Sequence, residues 1–204
     1  MEFEAVISSR RSVKTYKKDV VISKEELEEI IYLASLSPSA WNLQQWHFLI
    51  VTDDEEKERL KKAAWGQPKV KDASATIVVL GDLLAYERAE EVANDWISKN
   101  MLPENAKEQL ISNVHSFYED DRTKRDEAVR GASLAAMSIM YAAENKGYST
   151  CPMIGFDPEE VCSSFQIPDH LVPVMMMTIG VGEDAPKERG YRRRPAEIIT
   201  YNTF

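Results

Sequence analysis

The sequence predicts an α+β fold with about four strands. Three observations predict it. Apolar residues recur at helical spacing in several capped segments, short β-rich apolar runs stand between those segments, and no repeat or low-complexity linker interrupts the order. At 204 residues the chain can bury one substantial core, so a single domain over residues 1–204 is expected.

The elements follow in order. Ser23-Lys24-Glu25-Glu26 is a capping box, and Leu27, Ile30, Ile31 and Ala34 repeat behind it, which predicts an amphipathic helix over 24–36. Ser37-Pro38-Ser39 stops that helix. Residues 46–52 are apolar and rich in β-formers, and predict a strand. Asp53 opens a helix reaching about Trp65, ended by Gly66 and Pro68. ATIVVLG over 75–81 reads as a buried strand. Residues 84–120 are polar and helical in composition, split by Pro103. The longest helix is expected over 123–146, with Val129, Ala132, Ala136, Met140 and Ala143 on one stripe. Small residues surround that stripe and would let another backbone approach, and Gly147 suits the position after the helix end. Asp157-Pro158-Glu159-Glu160 opens a short helix with a cap and an N1 proline. LVPVMMMTIGV over 171–181 predicts a last buried strand, with Pro173 confining its first residues to an edge or entry position. The tail 196–201 is β-prone without a partner of its own, as expected of a strand that docks on a second subunit.

Composition excludes several classes of function. The hydrophobic share of 44% and charged share of 29% are ordinary for a globular protein. No stretch approaches the ~20 apolar residues of a membrane span, and the first residues lack the pattern of a secretory signal, so a cytoplasmic location is expected. A net charge of −9 is the wrong sign for a nucleic-acid partner. Cys151 and Cys162 match neither a redox pair nor a zinc knuckle, and His47, His115 and His170 are scattered, so no metal site is expected.

Against the acidic background two basic clusters are informative. Arg10-Arg11-Ser12-Val13-Lys14 puts three cations and a hydroxyl within five residues, suited to phosphate oxygens; it reads equally as a solvated basic strand edge. If extended, the run turns Arg10, Ser12 and Lys14 to one face. Arg189 and Arg192-Arg193-Arg194 form the second cluster. Between them, SPSAWNLQQW over 37–46 gathers amide side chains that can meet a heterocycle of alternating donors and acceptors, although its Pro38 and Ser39 also serve as turn residues. A loop at Cys151-Pro152-Met153-Ile154-Gly155-Phe156 could aim backbone N–H groups at a ligand.

The order RRSVK, SPSAWNLQQW, PMIGF and RRR resembles the FMN-binding nitroreductase family over essentially the whole chain. The resemblance implies a nitroreductase-like fold, with a central mixed or antiparallel sheet flanked by helices, and a homodimer with exchanged C-terminal tails. It implies FMN as cofactor and NAD(P)H as transient hydride donor, with small-molecule oxidants such as nitroaromatics or quinones reduced by a ping-pong scheme. Arg10, Arg11 and Ser12 match phosphate and ribityl contacts, and Lys14 the residue near the pyrimidine edge. Pro38, Ser39 and Asn42 match the segment lent by the partner subunit. Gln67 matches an amide that meets ribityl or pyrimidine oxygens. Pro152, Ile154 and Gly155 match the loop over the flavin, with the Ile154 amide facing N5, and Arg192 and Arg194 the basic pair that completes the phosphate site. The flavin would carry the chemistry, leaving Lys14 and the Ile154 backbone to tune it. One departure stands out: Gln45 occupies the place where the family has proline before tryptophan. Two alternatives remain open at this point. One keeps fold and flavin with a different reaction (a dehalogenase, flavin-destroying or dehydrogenase type); the other is a non-catalytic phosphate-ligand-binding module.

Overall fold

The computed structural model describes residues 2–185 and 187–204. Strands β1 (Trp46–Val51), β2 (Ala75–Asp82), β3 (Ser149–Met153) and β4 (Leu171–Gly180) form a sheet in the order β1-β2-β4-β3, with every pairing antiparallel. The interior position of β2 explains its apolar run: all eight residues are buried. Side chains alternate across it as the pleat requires. Ile77 and Val79 enter one core cluster, while Val78 and Leu80 enter another on the opposite face.

The first face is covered by α2 (Lys24–Ser35) and α7 (Asp121–Asn145). The predicted capping box of α2 is formed. The Ser23 hydroxyl accepts from the Glu26 N–H at 3.2 Å, and the Glu26 carboxylate accepts from the Ser23 N–H at 3.3 Å. The end of α7 is a Schellman motif: the Gly147 N–H donates to Glu144 and that of Tyr148 to Ala143, with Gly147 at φ 87°. Ile30 and Ile139 are fully buried on this face, each contributing about 1.5–3 kcal/mol by burial. The second face carries α3 (Asp54–Ala63), α4 (Pro68–Asp72) and α8 (Pro158–Phe165), around Leu60, Val70 and Val161. A third cluster joins α5 (Ala89–Ser98) and α6 (Lys107–Phe117) to Leu43 and Trp41.

Several expectations change. Ala128, Gly131, Ala132, Ala135 and Ala136 are buried within the chain itself. A Cβ on Gly81 would stand 3.0 Å from Ala128, so this small-residue face lets α7 settle on β2 and is not available to a symmetry mate. Residues 3–9 form α1 (Phe3–Ser9), too short to show a period, and residues 149–153 are a strand instead of a loop. β3 is an edge strand, where Pro152 and its missing N–H are tolerated. Residues 196–201 form no strand. A 3-10 turn spans Pro195–Glu197 and the chain beyond it is exposed, since β-propensity needs a neighbour to become a strand. Pro173 fits its expected place: β3 pairs only Met176–Gly180, so residues 171–175 of β4 have β2 alone, and the register slips beside Pro173.

No helix among the described residues is long and apolar enough to cross a membrane, and they include no group of three or more histidine, cysteine, aspartate or glutamate residues able to hold a metal ion. Both cysteines are free.

Candidate functional site

The RRSVK run is a strap pinned at both ends. Upstream, the Arg11 guanidinium donates to the carbonyls of Ser8, Ser9 and Arg10, and that of Arg189 to Ile7, Ser8 and Arg10. These carbonyls end α1, where the helix dipole favours a cation. Downstream, the Val13 N–H donates to Thr150 O at 3.1 Å, Lys17 N–H to Val181 O at 2.9 Å, and Glu183 N–H to Thr15 O at 3.1 Å. The buried Tyr16 hydroxyl lies 2.7 Å from the Thr178 Oγ1, and burial pushes this phenol well above its ordinary pKa. Gly180 makes room for it, since a Cβ there would sit 2.9 Å from the Tyr16 ring. The strap is not a strand of the sheet. Ser12 makes one isolated parallel bridge with Thr150, and residues 10–15 line one cavity together.

That cavity, about 390 Å³, gathers six cations (Arg10, Arg11, Lys14, Lys187, Arg189, Arg192) against two carboxylates, Asp184 and Glu188. Like charges crowd there. Loss of solvent, then the neighbouring Arg11, Arg192 and Arg10, holds the Arg189 pKa below the usual arginine value, although the residue as a whole stays exposed. Arg10 Nη1 and Thr150 Oγ1 are both buried without a hydrogen-bond partner. A buried guanidinium N–H left unmade is costly, and an anion in the cavity would satisfy it.

β3 carries the strap's neighbour Thr150 onward to Pro152 and, just past its end, Ile154 and Gly155; at about 3.3 Å per residue, Thr150 and Ile154 lie roughly 13 Å apart along the chain. Gln67 reaches this loop from the start of α4. Its Nε2 donates to Gly155 O at 2.6 Å and to Ala64 O at 3.1 Å. Both amide N–H bonds are thereby used, so Oε1 is what Gln67 can offer a ligand. That oxygen can accept, for instance from a hydroxyl, but cannot donate.

Pro38, Ser39 and Asn42 line no part of the basic cavity. They belong to a tight turn in which Trp41, Asn42 and Gln44 all have positive φ, and the Ser39 hydroxyl accepts from Gln44 N–H at 2.9 Å. Arg88 binds this turn to the α5–α6 unit: it donates to the carbonyls of Leu43 and Gln44 while pairing with Asp82 at 2.8 Å. Gln45, in the place of the family's proline, is buried and donates to the Tyr118 hydroxyl at 2.9 Å. Gly131 is what leaves it space, because a Cβ there would come within 2.9 Å of Gln45 Oε1. Trp41 packs against Phe117 and Tyr118, with ring centroids 4.9 and 6.1 Å away.

The fold thus brings Arg10, Arg11, Ser12, Lys14 and Arg192 to one cavity, and Gln67, Pro152, Ile154 and Gly155 to the exit of the adjacent strand. It leaves Pro38, Ser39 and Asn42 apart. Arg194 lies outside the cavity lining and pairs with Glu197 at 3.3 Å. Sequence reasoning passed over Lys187, Tyr16 and Arg88 and gave Arg189 no place in the site. Arg189 was visible as a member of a basic cluster; Tyr16 and Arg88 act through partners distant in sequence and gave no signal.

The nitroreductase family model matches residues 7–181. The chain is 42% identical over 175 residues to the Bacillus subtilis protein named "Putative NAD(P)H nitroreductase YodC", covering 86% of this chain and 87% of that one. It is 41% identical over 203 residues to "Putative NAD(P)H nitroreductase MhqN" of the same organism, covering 98% of both. The crystal structure of an Exiguobacterium sibiricum protein, described as a "putative nitroreductase in complex with FMN", superposes with a TM-score of 0.91 at 30% identity, over 99% of this chain and 98% of that one. With the family model spanning residues 7–181 and this likeness along its length, the chain belongs to the nitroreductase family.

Proposed function

We propose that this chain is an FMN-dependent oxidoreductase that uses NAD(P)H to reduce small-molecule oxidants such as nitroaromatics and quinones. The observation that carries the reading is the unpaired, buried Nη1 of Arg10, set among five further cations at the start of a strand whose exit is the Ile154-Gly155 loop. Arg10 would hold the phosphate, with Arg192 beside it. Ser12 and Gln67 Oε1 would meet the ribityl hydroxyls, and Lys14 would stand near the pyrimidine edge, where a cation favours the reduced ring. The Ile154 N–H would face N5, while Pro152 and Gly155 allow close approach. FMN supplies the two-electron chemistry, taking a hydride from NAD(P)H and passing electrons to the oxidant. The sequence holds no G-x-G-x-x-G fingerprint for a separate dinucleotide site, so donor and oxidant take turns at one open face in a ping-pong scheme.

The pure binding-module alternative accounts for the basic cavity but gives no role to the Gln67–Gly155 tie. The test is direct. Purified protein should be yellow, release FMN on denaturation, and oxidise NADH or NADPH with menadione along parallel initial-rate lines. A colourless protein that takes up no added FMN overturns the reading, and intersecting lines overturn the ping-pong scheme.

The working unit in this reading is a homodimer. Ser39, Asn42 and Pro38 lie apart from the chain's own basic cavity, and the tail exposes Tyr191, Ile198, Ile199, Tyr201 and Phe204 to solvent. Because Arg88, Gln45 and Leu43 fasten the 38–45 turn to α5 and α6, a turn lent to the partner's flavin brings that helical wall with it. Arg194 would likewise act on the partner's side. Deleting residues 196–204 should raise the dimer dissociation constant by roughly 100-fold, the scale of one or two apolar side chains re-exposed, and should loosen FMN. Sedimentation and FMN titration check this; a truncated chain that keeps both would refute the exchanged tail.

A further inference from the structure

Trp65 is in the wrong place for a packing residue. It follows α3 at the position where a helix ends in left-handed backbone: Gly66 N–H donates to Lys61 O at 2.9 Å and Trp65 N–H to Lys62 O at 3.0 Å, the two bonds of a Schellman motif. That position suits glycine, yet Trp65 holds it at φ 54° while the available glycine, Gly66, stands one residue later. For a bulky residue this backbone is strained. Burial does not offset the strain, because the side chain is 70% exposed and belongs to none of the three core clusters.

What the strain achieves is placement. The edge of the indole lies against Gly155, where a Cβ would be 3.5 Å from Cζ3 and 3.9 Å from Cε3. Gln67, two residues on, ties the same loop by its 2.6 Å bond to Gly155 O, so the indole and the loop keep a fixed spacing. Ile154 beside it is 82% exposed. An exposed, flat and nearly rotor-free aromatic is therefore held at the rim of the loop assigned above to the flavin N5 edge.

We propose that Trp65 is a specificity-determining residue: its indole is the wall on which a planar aromatic or quinonoid oxidant stacks when it meets the flavin. This rests on the FMN reading above. Stacking on an indole face discriminates by flatness and tolerates varied ring substituents.

The fold and the function make opposite demands on this position, and that separates them. In FMN-loaded protein, Trp65→Gly should melt at the same temperature as the parent or higher, since glycine relieves the left-handed strain. Its KM for menadione should nevertheless rise about tenfold, the scale of one lost stacking contact. Ferricyanide, which is octahedral and cannot stack, should be reduced as before, and Trp65→Phe should recover most of the menadione KM. An unchanged menadione KM in yellow Trp65→Gly protein, or an equal loss with both oxidants, would overturn the inference while leaving the FMN reading intact. A parent protein that binds no FMN would overturn both.

Discussion

Arg10→Ala should weaken FMN binding by about 10- to 100-fold, the scale of one charge-assisted hydrogen bond to a phosphate left unmade. The FMN-free protein should lose little. Arg10 Nη1 has no partner among the described residues, so its removal takes away a buried donor that folding leaves unsatisfied. Arg11 makes the opposite prediction. Its guanidinium holds the carbonyls of Ser8, Ser9, Arg10 and Lys187, so Arg11→Ala should loosen the strap even without flavin. The pair therefore separates a ligand-directed arginine from a scaffold arginine by melting temperature against FMN affinity. Thermal melts of the flavin-free proteins give the first readout; titration with FMN, followed by flavin fluorescence at two salt concentrations, gives the second, and the Arg10 contribution should shrink as salt screens the cavity. Equal FMN affinity in Arg10→Ala and the parent would remove Arg10 from the site.

What the sequence made legible was whatever is encoded locally. The helix caps and end signals at Ser23, Asp53, Asp157 and Gly147 lie within a few residues of the groups they satisfy, and each is formed as read. The apolar runs of β2 and β4 were equally plain, since interior strands bury both faces. Short elements failed for the converse reason: seven residues in α1 and five in β3 carry too little period to read. The small residues of α7 were legible as a close-packing face but not as to what packs there, because β2 and Gln45 are far away in sequence.

The site divides in the same way. Its charged run announced itself, whereas its frame did not. Gln45 could be read only as a departure from the family pattern; Tyr118, its partner, lies 73 residues later. Gln67 could be read only as an amide suited to a ligand, and which of its two ends remains free depends on where the loop after β3 folds back. Sequence reading thus finds residues whose chemistry is their own, and misses those that work by holding another segment still.

Tyr16 is the strongest instance of the second kind, and its replacement should have the largest effect on the fold. Its ring is 2% exposed and fills the space opened by Gly180, while its hydroxyl meets Thr178 Oγ1 on the interior strand β4. Tyr16→Ala should cost about 3–5 kcal/mol, as for other buried aromatics cut to alanine, which in a chain of this size lowers the melting temperature by roughly 10 °C. Tyr16→Phe keeps the ring and should cost about 1 kcal/mol, the net worth of one hydrogen bond. Arg10, Ser12 and Lys14 ride on the strap that Tyr16 anchors, only six to two residues before it. FMN affinity, measured well below the melting temperature, should therefore fall in Tyr16→Ala and hold in Tyr16→Phe, although neither change touches a charged group. A folded Tyr16→Ala protein with the parent's FMN affinity would show that the strap keeps its shape without its anchor, and that the cation cluster is organised by Arg11 and Arg189 alone.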